Sequence, residues 1–143
     1  MRRIVRKDEA ERREAQDGFP RTVYLMIEPG TAGAGHLAMG SEEVPAGSQI
    51  PLHVHAEAEE ILFLYQGAGR ARLAGEEVEV GPETAIFIPS GTPHGFVNHT
   101  HELARLTWTF SPPGEEAKFR AAEAWKHVPA PAASERGTGD RRD

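Results

Sequence analysis

The stretch Gly47-Ser-Gln-Ile-Pro-Leu-His53-Val-His55-Ala-Glu57-Ala-Glu59-Glu60-Ile-Leu-Phe-Leu-Tyr65-Gln-Gly67 decides how this chain is read. His53 and His55 are two apart, so on an extended strand both imidazoles leave the same face. Two neutral imidazoles converging on one point, with carboxylates a few residues on, hold a divalent transition metal. Ile61 to Tyr65 is aliphatic and aromatic, reads as a strand, and ends at the turn residue Gly67. The stretch is therefore strand, bend around Ala56 to Ala58, strand. Three acids, Glu57, Glu59 and Glu60, lie within reach of the histidines. Parity counted from His55 favours an odd-numbered acid, but the bend resets that parity.

A second stretch, Pro89-Ser90-Gly91-Thr92-Pro93-His94, is a Pro/Gly turn that delivers one more histidine to the apolar strand Phe96-Val97. Together the two stretches resemble the motifs of the cupins. The first cupin motif, G-x5-H-x-H-x(3 or 4)-E-x6-G, is met at Gly47, His53, His55, Glu60 and Gly67. The second, G-x5-P-x-G-x2-H-x3-N, is met at Pro89, Gly91, His94 and Asn98, with Glu83 where the motif has its glycine and Gly81 two residues too early. The resemblance covers Gly47 to Asn98, about a third of the chain. It implies an all-β double-stranded β-helix, or jelly-roll, barrel. It also implies one divalent metal held by His53, His55, Glu60 and His94, with Glu60 the ligand on which catalysis depends. The spacing to Gly67 selects Glu60, leaving Glu59 as the alternative and Glu57 as a solvated charge.

Outward from these motifs, 143 residues with 38% hydrophobic content make one domain with one core. No apolar run approaches the length of a membrane span. Met1-Arg2-Arg3 leads into charge rather than an apolar segment, so no secretory signal is read. The absence of cysteine excludes disulfides and thiolate chemistry and fits a cytoplasmic protein. A net charge of −6 argues against nucleic acid or anionic lipid as partner.

Residues 1–18 read as a polar N-terminal segment, solvated or frayed between residues 6 and 17. The barrel is expected over residues 19–128. Its strands are Thr22 to Ile27, His36 to Val44, a hairpin of Arg70 to Leu73 and Glu76 to Val80 around Ala74-Gly75, Ala85 to Ile88, and Leu103 to Phe110. Pro29 to Gly35 reads as a loop bordering the barrel mouth. Helical spacing of Phe119, Ala122 and Trp125 predicts a C-terminal helix over 115–126, its stripe packed on the outside of the sheet. Residues 129–143 read as a disordered tail.

Phe96 shares parity with His94, and Leu62 and Leu64 share it with Glu60, so these three are expected to wall a substrate pocket, with His36 beside them. His99 and His101 form a second pair but sit outside the motif, and His127 receives no role. The ligand set suits Fe(II), the favoured metal, or Mn, Ni, Co, Cu or Zn. Four protein ligands on a six-coordinate ion leave two positions open, as at a catalytic metal. The reading drawn from this is a non-haem Fe(II) dioxygenase acting on a small oxygen-chelating substrate. The alternatives are a non-oxidative isomerase, lyase or cyclase, and a non-catalytic ligand-binding barrel. The resemblance also implies a homodimer, with Thr22 to Ile27 as the exposed edge strand.

Overall fold

Strand β5 (Glu59–Gln66) shows how the chain builds its interior. Its residues alternate between exposed and buried, with Glu60, Leu62 and Leu64 inward and Glu59, Ile61 and Phe63 outward. The computed structural model describes residues 1–129. Around β5 the chain lays down β1 (Glu11–Ala15), β2 (Thr22–Ile27), β3 (Ala38–Val44), β4 (Gln49–His53), β6 (Gly69–Leu73), β7 (Glu76–Val80), β8 (Thr84–Ile88), β9 (His94–Val97), β10 (Ala104–Ser111) and β11 (Trp125–Val128). They form a seven-stranded sheet in the order β11-β1-β2-β3-β10-β5-β8 and a four-stranded sheet in the order β4-β9-β6-β7. All pairings are antiparallel. This is the jelly-roll arrangement expected from the motifs, two sheets folded on each other. Among the described residues no helix is long and apolar enough to cross a membrane.

Two apolar clusters fill the interior. One joins Val23, Leu25, Leu62, Trp108, Phe110 and Trp125; the other joins Val44, Ile50, Leu64, Phe96, Ala104 and Leu106. Strand β10 supplies both, because Leu106, Trp108 and Phe110 all face inward. The turns carry the motif residues. Gly67 has φ +85°, and a Cβ there would stand 2.6 Å from the Leu103 carbonyl oxygen, so only glycine fits without movement. Glu83, which occupies the motif's glycine position, adopts the left-handed region at φ +66° while its N–H donates to the Leu64 carbonyl. The turn before β8 thus keeps the conformation that glycine would adopt freely.

Three expected features differ. The polar N-terminal segment is not a frayed stretch: after a 3-10 turn at Lys7–Glu9, β1 pairs with β2 on one side and β11 on the other. Its backbone groups are satisfied by neighbours on both sides, and its charges pair locally, Arg13 with Glu11 at 2.7 Å, so no apolar alternation is needed. Pairing on both sides of β2 also removes it as an edge strand, since β1 and β3 flank it; the edges of the large sheet are β11 and β8.

The expected helix over 115–126 is a 3-10 helix, Glu115–Arg120, followed by a turn and by β11. Ala121 is extended (φ −70°, ψ 112°), and the Arg120 guanidinium reaches Glu28 at 2.6 Å and Glu11 at 2.9 Å. Those anchors, and the pairing of β11 with β1, outweigh the modest preference of this segment for a longer helix. Phe119 and Trp125 consequently pack between the sheets, edge-to-face at 4.9 Å, instead of on the outside. The Pro29 to Gly35 stretch holds a single helical turn, α1 (Pro29–Ala32), capped reciprocally by Glu28 and Thr31. Pro129 is the last residue described; the rest of the expected tail lies outside the described residues.

Candidate metal centre

Four side chains from four places in the chain meet inside the barrel. His53 closes β4, His55 follows it in the loop, Glu60 lies on β5 and His94 opens β9. Antiparallel pairing sets His53 directly opposite His94. The bend at residues 54–58 restores Glu60, not Glu59, to the inner face: Glu60 is buried and Glu59 exposed. One ligand atom from each of His53, His55, Glu60 and His94 lies within 4.8 Å of all the others. Donors held about 2.0–2.2 Å from an ion stand roughly 3–4.4 Å apart, so this cluster closes around a single cation with small shifts.

The hydrogen bonds prepare the rings for that role. His53 Nδ1 contacts the Pro51 carbonyl at 2.8 Å, His94 Nδ1 the Thr92 carbonyl at 2.8 Å, and His55 Nδ1 the Glu115 carboxylate at 2.9 Å. An acceptor at each Nδ1 places the proton there and turns the Nε2 lone pair toward the common point. His55 Nε2 is buried with no hydrogen-bond partner, although Glu60 Oε1 is 3.2 Å away, and His94 Nε2 lies 2.9 Å from the same oxygen. An orphaned nitrogen and converging lone pairs beside a carboxylate fit a divalent cation.

Burial and the neighbouring His94 lower the pKa of His53 to about 4, keeping that ring neutral as a ligand must be. Burial pushes Glu60 upward, but the neighbouring imidazoles of His55 and His94 outweigh it and hold the carboxyl below its ordinary range. Glu115 was not visible as a functional residue in the sequence. It lies sixty positions after His55, and only the 3-10 helix brings it there, with Lys118 Nζ 2.8 Å from its carboxylate.

The cluster forms one wall of a cavity of about 220 Å³. Leu62, Trp108, Phe110, Phe119 and Trp125 supply its apolar surface, Trp108 and Phe110 stacked at 5.1 Å. Leu62 is thus a wall residue as expected from parity. Leu64 and Phe96 do face inward but belong to the second core cluster and do not line the cavity. His36 does not line it either: its side chain is exposed ahead of β3, where its carbonyl accepts from Ser111 Oγ. His99 and His101 are exposed, and His99 pairs with Glu79 at 2.6 Å.

A polar group that the sequence did not reveal completes the cavity wall. Asp17, Arg21 and Glu42 all line it. The Arg21 guanidinium makes a two-pronged pair with Asp17, both contacts at 3.0 Å, and lies over the Trp125 ring at 5.0 Å. Its Nε is 3.3 Å from Glu42 Oε2 without an aligned hydrogen bond. Burial dominates at Glu42 and pushes its carboxyl up to about 8, against the pull of Arg21 and with a further push from Glu60. A charged residue in the middle of β3 reads as a solvated position in sequence, and only the sheet packing turns it inward.

Comparison with known proteins agrees with this architecture. Residues 40–110 match the family model described as a cupin domain. The chain is 28% identical over 109 residues to the tetracenomycin polyketide synthase protein TcmJ of Streptomyces glaucescens, covering 76% of this chain and 72% of that one. The solved polyketide cyclase RemF of Streptomyces resistomycificus superposes with a TM-score of 0.66 at 27% identity, over 79% of this chain and 81% of its own. An RmlC-like cupin from Shewanella frigidimarina superposes with a TM-score of 0.68 at 16% identity, over 82% and 96%. Motifs, sheet order and matches converge, and the chain belongs to the cupin superfamily.

Proposed function

We propose that this protein is a metal-dependent enzyme carrying out a non-oxidative rearrangement, of the cyclase or isomerase kind, on a small carbonyl-rich molecule. The observation that carries the metal assignment is the set of three imidazoles with acceptors at Nδ1 and Nε2 atoms gathered around Glu60. A divalent cation held there by His53, His55, Glu60 and His94 would act as a Lewis acid on a carbonyl or enolate oxygen. The chain's own contribution is shape and dryness. Leu62, Trp108 and Phe110 give an apolar wall that suits a flat or ring-bearing substrate and excludes water from a charged intermediate. At about 220 Å³ the cavity is smaller than the roughly 300–1,000 Å³ of drug-sized pockets, which points to a compact molecule of one or two rings. Two of the relatives, at 28% and 27% identity, bear polyketide names, which supports a carbonyl-rich substrate.

The dioxygenase reading uses the same ligands with Fe(II), and it is favoured by the mixed nitrogen and oxygen donor set and the apolar cavity. Oxygen separates the two. Metal-loaded protein offered a panel of 1,3-diketones, 2-oxo acids, catechols and small polyketide mimics should turn over its substrate under strict anaerobiosis with zinc or nickel. Turnover confined to the ferrous protein, with matching consumption of O2, would replace the non-oxidative reading by the dioxygenase one. Metal analysis of His53→Ala/His55→Ala should show the loss of about one cation per chain. Unchanged metal content in that variant refutes the site.

A further inference from the structure

The cavity holds two buried carboxylates that are treated oppositely by their surroundings. Glu60 sits among imidazoles and needs its charge. Glu42 faces the same cavity from β3, is 5% exposed, and meets a guanidinium whose charge is already spent. Arg21 gives both Nη atoms to the two oxygens of Asp17 at 3.0 Å and leaves Glu42 only an Nε contact at 3.3 Å. One positive charge thus faces two carboxylates, and the more deeply buried of the two is the one less well served. A carboxyl group kept neutral in an apolar, enclosed place, beside a second carboxyl kept ionised, is the arrangement that divides acid and base roles within one site. Burial is the main cause that raises the Glu42 pKa, to about 8, near the pH at which a proton can pass both ways. The groups that bear on it are Arg21 and Asp17 beside it and Glu60 across the cavity.

We propose that Glu42 is the proton-transferring residue of this cavity, exchanging a proton with a carbon next to a substrate carbonyl held between it and the His53, His55, Glu60 and His94 cluster. Arg21 is its positioning residue, fixed in turn by Asp17 and Trp125. The inference rests on the non-oxidative reading above and adds its acid–base partner. The step balances without an oxidant. The C–H bond next to the carbonyl breaks and its electron pair becomes the enolate C=C. The carbonyl π pair moves to oxygen, and the proton goes to Glu42 in its ionised form, which is present in part at a pH near its pKa of about 8. Return of a proton from Glu42 to the same or another carbon completes a tautomerisation or prepares a ring closure. The substrate class is therefore a compact, enolisable carbonyl compound with a second oxygen function for the metal and an apolar ring or chain for Trp108 and Phe110.

The test uses the full chain loaded with zinc and 2-oxo-4-phenylbutyrate, which offers two adjacent oxygens, enolisable hydrogens at C3 and a phenyl ring. Deuterium uptake at C3 is followed by NMR in D2O, and binding of the same compound by calorimetry. Glu42→Gln, which is neutral and nearly the same shape, is expected to bind the compound about as well as the unaltered protein. Its exchange should slow by about 10²–10⁴-fold. Glu42→Asp should recover part of that rate. A second readout needs neither metal nor substrate. Infrared difference spectra taken on either side of the Glu42 pKa of about 8 should show the carbonyl band of a buried carboxylic acid, absent in Glu42→Gln. Exchange in Glu42→Gln equal to that of the unaltered protein overturns the proposal, and so does an unchanged infrared band. If the compound fails to bind, or if His53→Ala/His55→Ala exchanges as fast as the unaltered protein, the metal-dependent reading itself falls and takes this role with it. Metal-dependent exchange that is indifferent to Glu42 sinks only the assignment of Glu42.

Discussion

Single residues at the metal cluster are chosen as much by what they hydrogen-bond as by what they ligate. His53 and His94 spend their Nδ1 protons on carbonyls two residues back, a local contact any strand end can make. His55 instead relies on Glu115, an ionised partner whose carboxyl is pushed up by burial but held low overall by Lys118 and His55 itself. A carboxylate behind a metal-bound imidazole raises its basicity and fixes its orientation, and losing such a partner typically weakens metal binding by about 10–100-fold. Glu115→Gln should show a metal affinity reduced on that scale in competition with a chromophoric chelator, with the fold intact by circular dichroism. An unchanged affinity would mean that Glu115 only decorates the rim.

Among elements, the segment from Glu115 to Val128 bears most on the site while being the least expected from its own residues. Its 3-10 helix carries Glu115 to His55 and Phe119 into the cavity, and β11 brings Trp125 over Arg21. Arg120 locks it, donating to Glu28 and Glu11 together; the side chain is 36% exposed and Glu28 only 6%. Glu28 would lose its charged partner in Arg120→Met while the aliphatic packing is largely kept. Removing one partner of a fully buried pair costs about 3–5 kcal/mol, and the half-open position of Arg120 brings the expectation down to about 1–3 kcal/mol. The measurement is a urea unfolding midpoint with unchanged slope. A midpoint equal to that of the unaltered protein would show that β11 pairing alone holds the segment.

At the scale of the molecule, the outer face of the large sheet carries exposed apolar side chains among the described residues. Ile61 pairs in register with Phe87 across β5 and β8, Phe63 lies beside them, and all three are exposed; β8 is an edge strand. A free edge next to an apolar face is an association hazard unless covered. We propose that a second copy of the chain covers it, in place of the dimer through β2 expected from the sequence. Light scattering should return twice the 15.6 kDa chain mass, and Phe63→Lys/Phe87→Glu should return the single mass. A single mass for the unaltered protein at micromolar concentration refutes this.

What the amino-acid sequence determined by itself is local. The spacing of His53 and His55 and the turn ahead of His94 specify strand ends and tight bends, which are set by near neighbours and backbone conformation; hence the all-β pattern and the histidines were legible locally, while the barrel and the choice of Glu60 came from the resemblance to the cupin motifs. Leu62 was legible from parity for the same reason. Which inward residues wall the cavity was not, because Leu64 and Phe96 share that parity and yet close a separate cluster. Glu42 and Arg21 lie in strand and turn positions that look solvated, and Glu115 in a segment that looks helical. Their placement depends on sheets and ion pairs assembled from β1, β2, β3 and β11, far apart in sequence. Burial of a charge is a property of everything packed around it, so only the tertiary structure could decide that one glutamate of this cavity stays ionised and another does not.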